Sequence, residues 1–355
     1  MSDTRNILTD AATRLLAQAV TRELLDQAEA GVWPEKLWAA LENAGLTLAA
    51  VPEAAGGTGG APGDELAVLR TAARFAAPVP LAETMLAGWL LASAGLRVPL
   101  GALSVAPVQR GDHLVLSKDG GGWSLSGTAR RVPWAASVGH IAVLADGPSG
   151  ALVALLPARG FASEAGRNLA GEPRHDLGFD KVKLAAEAVA PSKETAASLQ
   201  AAGALARAAQ MLGALENVLD LAVRYAGERS QFGRPIGKFQ AVQQQLAVLA
   251  GQVAAAGRAV ESAYEFRGRG ADAGFAIAVA KARVGEAASI GAGIAHQVHG
   301  AIGFTHEHML HHSTRRLWSW RSEFGGDAYW QEQIGRRIAK AGPDQLWPLM
   351  TGTSA

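Results

Sequence analysis

Cysteine is absent from the 355 residues, tyrosine occurs only three times, and neither charge sign is in excess, with 33 basic residues against 32 acidic ones. The missing cysteine excludes a disulfide framework, a thiolate metal site and a cysteine nucleophile, and it suits a reducing compartment. A net charge of +1 supplies no field for nucleic acid or for an anionic membrane surface. No block of like charge compensates for that balance. No apolar run reaches the ~18–20 residues of a membrane helix, because Arg, Glu, Gln or Gly interrupts each Ala/Leu stretch. The opening Met1-Ser2-Asp3-Thr4-Arg5-Asn6 lacks the basic-then-apolar order of an export signal. These absences predict a cytoplasmic protein without nucleic-acid or membrane partners.

What is present is ample core material: 49% of residues are hydrophobic and 18% charged. At roughly 100–200 residues per domain the length predicts two or three domains. Three textures follow one another. Leu8, Ala11, Ala12, Leu15 and Leu16 recur at helical spacing, Trp33-Pro34-Glu35 opens another helix with proline in its first turn, and Glu65 to Phe75 and Ala82 to Leu91 continue the pattern. From about Pro99 the period shortens. His113 to Ser117 and Trp123 to Ser126 flank Asp119-Gly120-Gly121-Gly122, a hairpin signal. Ile141 to Leu144 and Ala151 to Leu156 flank a second turn cluster at Asp146 to Gly150. Val182-Lys183-Leu184 reads as a last strand. Helical periodicity returns in Gly203 to Tyr225, Gln240 to Arg267 and Ala271 to Val298. The fold class is mainly α with a central β domain, divided at residues 1–97, 98–191 and 192–355.

Two segments carry chemistry. The first is Glu228-Arg229-Ser230-Gln231-Phe232-Gly233-Arg234-Pro235-Ile236-Gly237-Lys238-Phe239-Gln240. It is a turn between helices, where backbone N–H groups and the planar fork of Arg229 suit a phosphate. The same residues would equally make an ordinary solvated turn. The second is Gln297-Val298-His299-Gly300-Ala301-Ile302-Gly303-Phe304, where two glycines after a long helix imply a C-cap and a tight turn. His306, His308, His311 and His312 follow; the i,i+4 pair His308 and His312 could share a helix face for a metal. Leu310 breaks the His-Glu-x-x-His pattern and no third ligand is evident, so the reading is a partly exposed polar helix face with no metal. Trp134 is either a core residue or part of a site.

Arg229, Gln231, Phe232, Gly233 and Gln240, together with Gln297, Gly300, Ala301 and Gly303, resemble the two FAD-contacting stretches of the acyl-CoA dehydrogenase family. Gln231 stands where Ser or Thr is common, and Ala301 replaces a glycine. Val51-Pro52-Glu53 with Gly56-Gly57-Thr58-Gly59-Gly60 resembles a third, N-terminal landmark that, taken alone, is a flexible glycine loop. The resemblance implies an N-terminal helical domain, a small β-barrel or sandwich domain and a C-terminal four-helix bundle. It implies FAD as cofactor, an acyl-CoA substrate, a homo- or hetero-oligomer (dimer or tetramer), and an electron-accepting flavoprotein as partner. Arg229, Gln231, Phe232 and Gln240 would hold the diphosphate and adenosine of a neighbouring subunit's FAD, and the backbone around Gln297, Gly300, Ala301 and Gly303 would approach the flavin nucleotide. The implied reaction is α,β-dehydrogenation, in which a carboxylate removes the α-proton while the β-hydride moves to flavin.

The base does not align directly. The family's usual positions fall on Phe324 and on Gly203, and an arginine that some members carry beside the latter corresponds to Ala204. Glu323 lies one residue before Phe324 and ahead of Gly325-Gly326, so it is the candidate base. The alternatives are a surface glutamate at a helix end, or a base supplied by a partner chain. The last would make this chain a catalytically incomplete, FAD-supporting subunit. A flavin oxidase or monooxygenase on the same fold is a third reading.

Overall fold

A computed structural model describes residues 3–61, 63–268 and 273–351. The chain divides into two compact units, Met1–Val68 with Pro78–Ala206, and Leu69–Ala77 with Arg207–Ala355.

In the first unit, α1 (Asp3–Ala19), α3 (Glu35–Asn43), α4 (Asp64–Arg74, as far as Val68) and α5 (Leu81–Ser93) form where helical spacing predicts them or close to it, and α2 (Arg22–Glu29) is a further helix that the spacing did not announce. Ala12 and Leu16, four apart on α1, are fully buried. The α2 start is capped by Thr21, whose hydroxyl accepts from the Leu24 N–H at 3.2 Å. Pro34 sits at the N-cap of α3 rather than inside its first turn. The glycine loop is not a loose one. Methyl groups on Gly57 and Gly60 would meet the carbonyl oxygens of Val51 and Ala49 at 2.1 and 2.0 Å. Glycine is there because the loop folds closely onto its own backbone.

Eight strands form one sheet: β1 (Leu103–Ala106), β2 (His113–Asp119), β3 (Gly122–Pro133), β4 (His140–Gly147), β5 (Gly150–Pro157), β6 (Ala162–Glu164), β7 (Arg174–Leu184) and β8 (Val189–Pro191), in the order β6-β7-β3-β2-β4-β5-β8, with β1 pairing with β4. Both expected hairpins close through two-residue turns, with Asp119 opposite Gly122 and Gly147 opposite Gly150. Val182–Leu184 is the end of the longer β7, and β8 follows it. Leu116, Leu125, Val132, Ile141, Val143 and Leu156 are completely buried in the core of this sheet. Trp134 also lies in the core of the unit: it is 8% exposed, and its ring meets Trp33 edge-on at 6.4 Å.

The second unit contains most of α6 (Ala196–Glu228), then α7 (Gln240–Gly268), α8 (Gly274–His299), α9 (Leu310–Ser322) and α10 (Asp327–Ala341). The expected start of α8 at Ala271 lies outside the described residues. Methyl carbons of Leu215 on α6 and Leu249 on α7 stand 3.0 Å from where a Cβ of Gly291 on α8 would be, so three helices meet there. The end of α4 belongs to this unit. Arg70 and Arg74 on it, four apart, pair with Glu216 and Asp220, also four apart. At that crossing a Cβ on Gly213 would stand 1.9 Å from the Arg70 carbonyl oxygen. Backbone cannot retreat as a side chain can. Gly213→Ala is therefore expected to lose about 1–3 kcal/mol of stability, read as a lower urea midpoint at unchanged slope. An unchanged midpoint would contradict this packing. Among the described residues no helix is long and apolar enough to cross a membrane.

Candidate cofactor and catalytic site

The Arg229 segment is a miniature hairpin. Ser230–Gln231 pairs with Arg234–Pro235, Gln231 opposite Arg234, which leaves Phe232 and Gly233 as the loop. Both have positive φ, +52° and +78°, as a type I′ turn requires. Glycine and asparagine fill such positions without strain; phenylalanine costs about 1–3 kcal/mol there. That strain is not offset by burial, since the Phe232 ring is 92% exposed and touches Phe239 only edge-on at 6.1 Å. The Ile236 N–H donates to the Arg229 carbonyl at 2.8 Å and closes the base of the hairpin. The Arg229 side chain is exposed and forms no ion pair among the described residues. Gln240 opens α7 directly after the turn.

The Gly300 segment ends α8. Gly300 adopts φ +63°, ψ −143°, a conformation for glycine, and its N–H donates to the His296 carbonyl. Gln297 and Ala301 are exposed, whereas Gly303 is buried. A Cβ on Gly303 would stand 2.9 Å from that of His299, so glycine lets the turn close. The two segments come together in space: Tyr225, one turn before Arg229, stacks on His299, next to Gly300, at 4.6 Å.

Sequence reasoning misplaced the histidines. His308 precedes α9, so it does not share a helix face with His312. His311 and His312 are buried, not partly exposed. The His311 ring meets those of His312 at 3.9 Å and His306 at 5.1 Å, and other rings pack nearer the Gly300 turn. His299 meets His308 at 4.5 Å, and His296 lies between Phe304 at 4.3 Å and Trp318 at 5.7 Å. Burial lowers the pKa of His296, His299 and His308, and a charge on His299 would lower the other two further. The sign follows from linkage. Unfolded imidazoles titrate near 6.5. Just below that pH the unfolded imidazoles bind more protons than the folded ones, so their contribution to stability falls as pH drops toward the depressed folded values and is constant above about 6.5. Urea unfolding followed from about pH 7.5 to about pH 5 is expected to show this loss, and His299→Phe to reduce it. A flat profile would contradict the burial of neutral imidazoles.

Glu323 is the C-cap of α9, 8% exposed. Its Oε2 accepts from Nε of Arg207 at 2.8 Å, and Nη1 of Arg207 donates to Gln210 Oε1 at 2.5 Å. Phe324 takes φ +53° and is buried, so the chain turns sharply after Glu323. Lys281 on α8 is fully buried, and its Nζ donates to the carbonyls of Arg321 at 2.6 Å, Gly325 at 3.0 Å and Trp320 at 3.3 Å. The Trp330 indole N–H reaches the Phe324 carbonyl at 3.1 Å and that of Gly325 at 3.2 Å. Arg321 pairs with Asp327 at 2.7 Å. Arg207, Gln210, Lys281 and Trp330 were not singled out in the sequence. The available signal was a lone charge in an apolar helix: Arg207 is the only charged residue between Ala196 and Leu215.

The unit brings the Arg229 and Gly300 segments together and keeps Glu323 away from both. Arg207, which holds Glu323, and Arg229 are 22 residues apart on and just beyond α6. At 1.5 Å per residue they are separated by about 30 Å. The 13 residues of α9 likewise put about 20 Å between its ends.

Comparison with known proteins identifies the family. The family model "Acyl-CoA dehydrogenase, N-terminal domain" matches residues 2–97, and "Acyl-CoA dehydrogenase, C-terminal domain" matches residues 196–339. Acyl-CoA dehydrogenase FadE34 of Mycobacterium tuberculosis is 31% identical over 91% of this chain, which spans 45% of that relative's length. Acyl-CoA dehydrogenase FadE27 of the same organism is 30% identical over 86% of this chain and 88% of its own. The crystal structure of the ChsE4-ChsE5 complex from Mycobacterium tuberculosis superposes with a TM-score of 0.88 at 27% identity, covering 96% of this chain and 98% of that one. The chain therefore belongs to the acyl-CoA dehydrogenase family, and its reaction class is FAD-dependent dehydrogenation of an acyl-CoA thioester.

Proposed function

We propose that this chain carries out α,β-dehydrogenation of an acyl-CoA with Glu323 as the base, and that each active site is completed across a subunit boundary. The observation that carries the reading is the distance of about 20–30 Å, set by helix lengths, between Glu323 and the Arg229 and Gly300 segments of the same chain. The residues fit the nucleotide end of FAD. Arg229 presents a guanidinium without an ion-pair partner among the described residues, Phe232 is strained and exposed, and the turn at Gly300 is open, with nothing near a Cβ. In this reading Arg229, Gln231, Phe232 and Gln240, with Gln297, Gly300 and Ala301, hold the diphosphate and adenosine of a neighbour's FAD, while Gly303 lets their turn close.

Bound FAD would supply the acceptor for the β-hydride. Glu323 takes the α-proton onto a carboxylate oxygen, which requires one oxygen to be held toward the substrate while Arg207 engages the other. Arg207 and Gln210 orient the carboxylate, and the buried Phe324 keeps its surroundings dry. An electron-accepting flavoprotein would be its redox partner.

A second reading has a specific observation in its favour: the Glu323 carboxylate is already engaged by a buried guanidinium. The chain would then be the FAD-supporting member of a mixed assembly, and a structure it resembles, ChsE4-ChsE5, is a two-component complex. Purified chain mixed anaerobically with acyl-CoA separates the two. Bleaching of the flavin by the chain alone supports the first reading. Bleaching only after addition of a partner chain supports the second. Rapid peroxide formation in air would overturn both in favour of an oxidase.

A further inference from the structure

We propose that Lys281 is a positioning residue for the Glu323 carboxylate, acting through the backbone of the turn that carries it. The proposal rests on the reading of Glu323 as base. An ammonium at 0% exposure in the middle of a helix is costly unless it is saturated with acceptors. Its acceptors here are three carbonyl oxygens that flank the turn: Trp320 and Arg321 lie before Glu323, and Gly325 after it. The last carbonyls of α9 have no intrahelical donors. Lys281 supplies one from a different helix and thereby ties the two limbs of the turn to α8.

Trp330, in the first turn of α10, completes the clamp by donating to Phe324 and Gly325. The turn is thus held from two helices through its backbone carbonyls, while the Glu323 side chain pairs with Arg207. The left-handed Phe324, φ +53°, is what such a clamp must hold in place. The charged groups around the ammonium are Asp327 of α10, Glu323 and Arg321 of α9 and its end, and Arg207 of α6. Burial is the main influence on it and brings its pKa down to about 7. Part of the population then loses the ammonium proton as pH rises through neutrality. The neutral amine keeps two N–H groups for three carbonyls, so the clamp loosens at alkaline pH.

The test uses the full-length, FAD-loaded protein with two readouts. One is the limiting rate of anaerobic flavin reduction by acyl-CoA. The other is solvent exchange of the α-proton of an acyl-CoA whose β-carbon carries no hydrogen, which reports proton removal without hydride transfer. Lys281→Met is expected to slow both by roughly 10- to 100-fold, as displacement of a reacting group by about 1 Å does, with KM within about twofold and FAD content unchanged. Trp330→Phe keeps the packing, removes only the indole N–H, and is expected to slow both in the same sense by a smaller factor; it decides the matter if Lys281→Met does not fold. Wild-type rates in these variants, beside an inactive Glu323→Gln, would overturn the positioning role and leave the base in place. Wild-type rates in Glu323→Gln would remove the base itself, and this role with it.

Discussion

Glu323→Gln is expected to lower the limiting rate of anaerobic flavin reduction by about 10²- to 10⁴-fold, the range in which a positioned general base contributes. The substitution isolates the chemistry because the amide oxygen can still accept from Nε of Arg207 at the position now occupied by Oε2, 2.8 Å away. Removing the acceptor altogether would be a different experiment. One partner of a buried ion pair left alone costs about 3–5 kcal/mol, and Arg207, almost wholly buried, would be that partner. Glu323→Ala therefore confounds folding with catalysis, whereas Glu323→Gln retains most of the contact. FAD content is expected to be unchanged, because Glu323 lies about 20 Å along α9 from the Gly300 turn. A variant that binds FAD and reduces it at the wild-type rate would end the assignment.

Arg229→Ala is the second large effect, and it acts on the cofactor. A hydrogen bond to a charged group contributes about 1.5–3 kcal/mol, so loss of the guanidinium is expected to weaken FAD binding by roughly 10- to 100-fold. The folded chain loses little, because Arg229 is exposed and has no ion-pair partner among the described residues to abandon. Protein of unchanged thermal stability as the apoprotein, purified pale and regaining colour only at high added FAD, is the expected result. Full FAD occupancy after extensive dialysis would show that the hairpin serves another purpose. Phe232→Asn makes the complementary point. Asparagine suits the left-handed turn position, φ +52°, so it is expected to raise chain stability while removing the exposed ring from the FAD contact.

Much of this fold was legible because helical periodicity and two-residue glycine turns are local signals. The helices α1, α4, α5 and α7 and both hairpins fall within a few residues of their expected places. β1 escaped notice because all four of its residues are buried and show no alternation. Most of β7 escaped because His175, Asp176, Gly178 and Asp180 break its apolar pattern on an edge-facing stretch with register shifts. The turns at Arg229 and Gly300 were legible in the sequence, since each is a single turn whose glycines have local causes. The turn at Glu323 was not. Its partners Arg207 and Lys281 lie 116 and about 40 residues away in sequence, and only the helix packing brings them to it. Counting back along α6 pointed to Ala204; the guanidinium comes instead from Arg207, three residues and nearly one turn later.

The claim that the site is shared between subunits is tested most directly by complementation. Arg229→Ala and Glu323→Gln chains, each inactive alone at limiting FAD, are co-expressed with different affinity tags, and the mixed oligomer is isolated by both tags. If one chain's Arg229 hairpin serves the flavin beside its neighbour's Glu323, the mixed oligomer contains one intact site, formed by Arg229 of the Glu323→Gln chain and Glu323 of the Arg229→Ala chain. Acyl-CoA then bleaches the corresponding fraction of the flavin at the wild-type rate. If both segments serve the flavin of their own chain, every site in the mixed oligomer is defective and no bleaching returns, which would contradict the account.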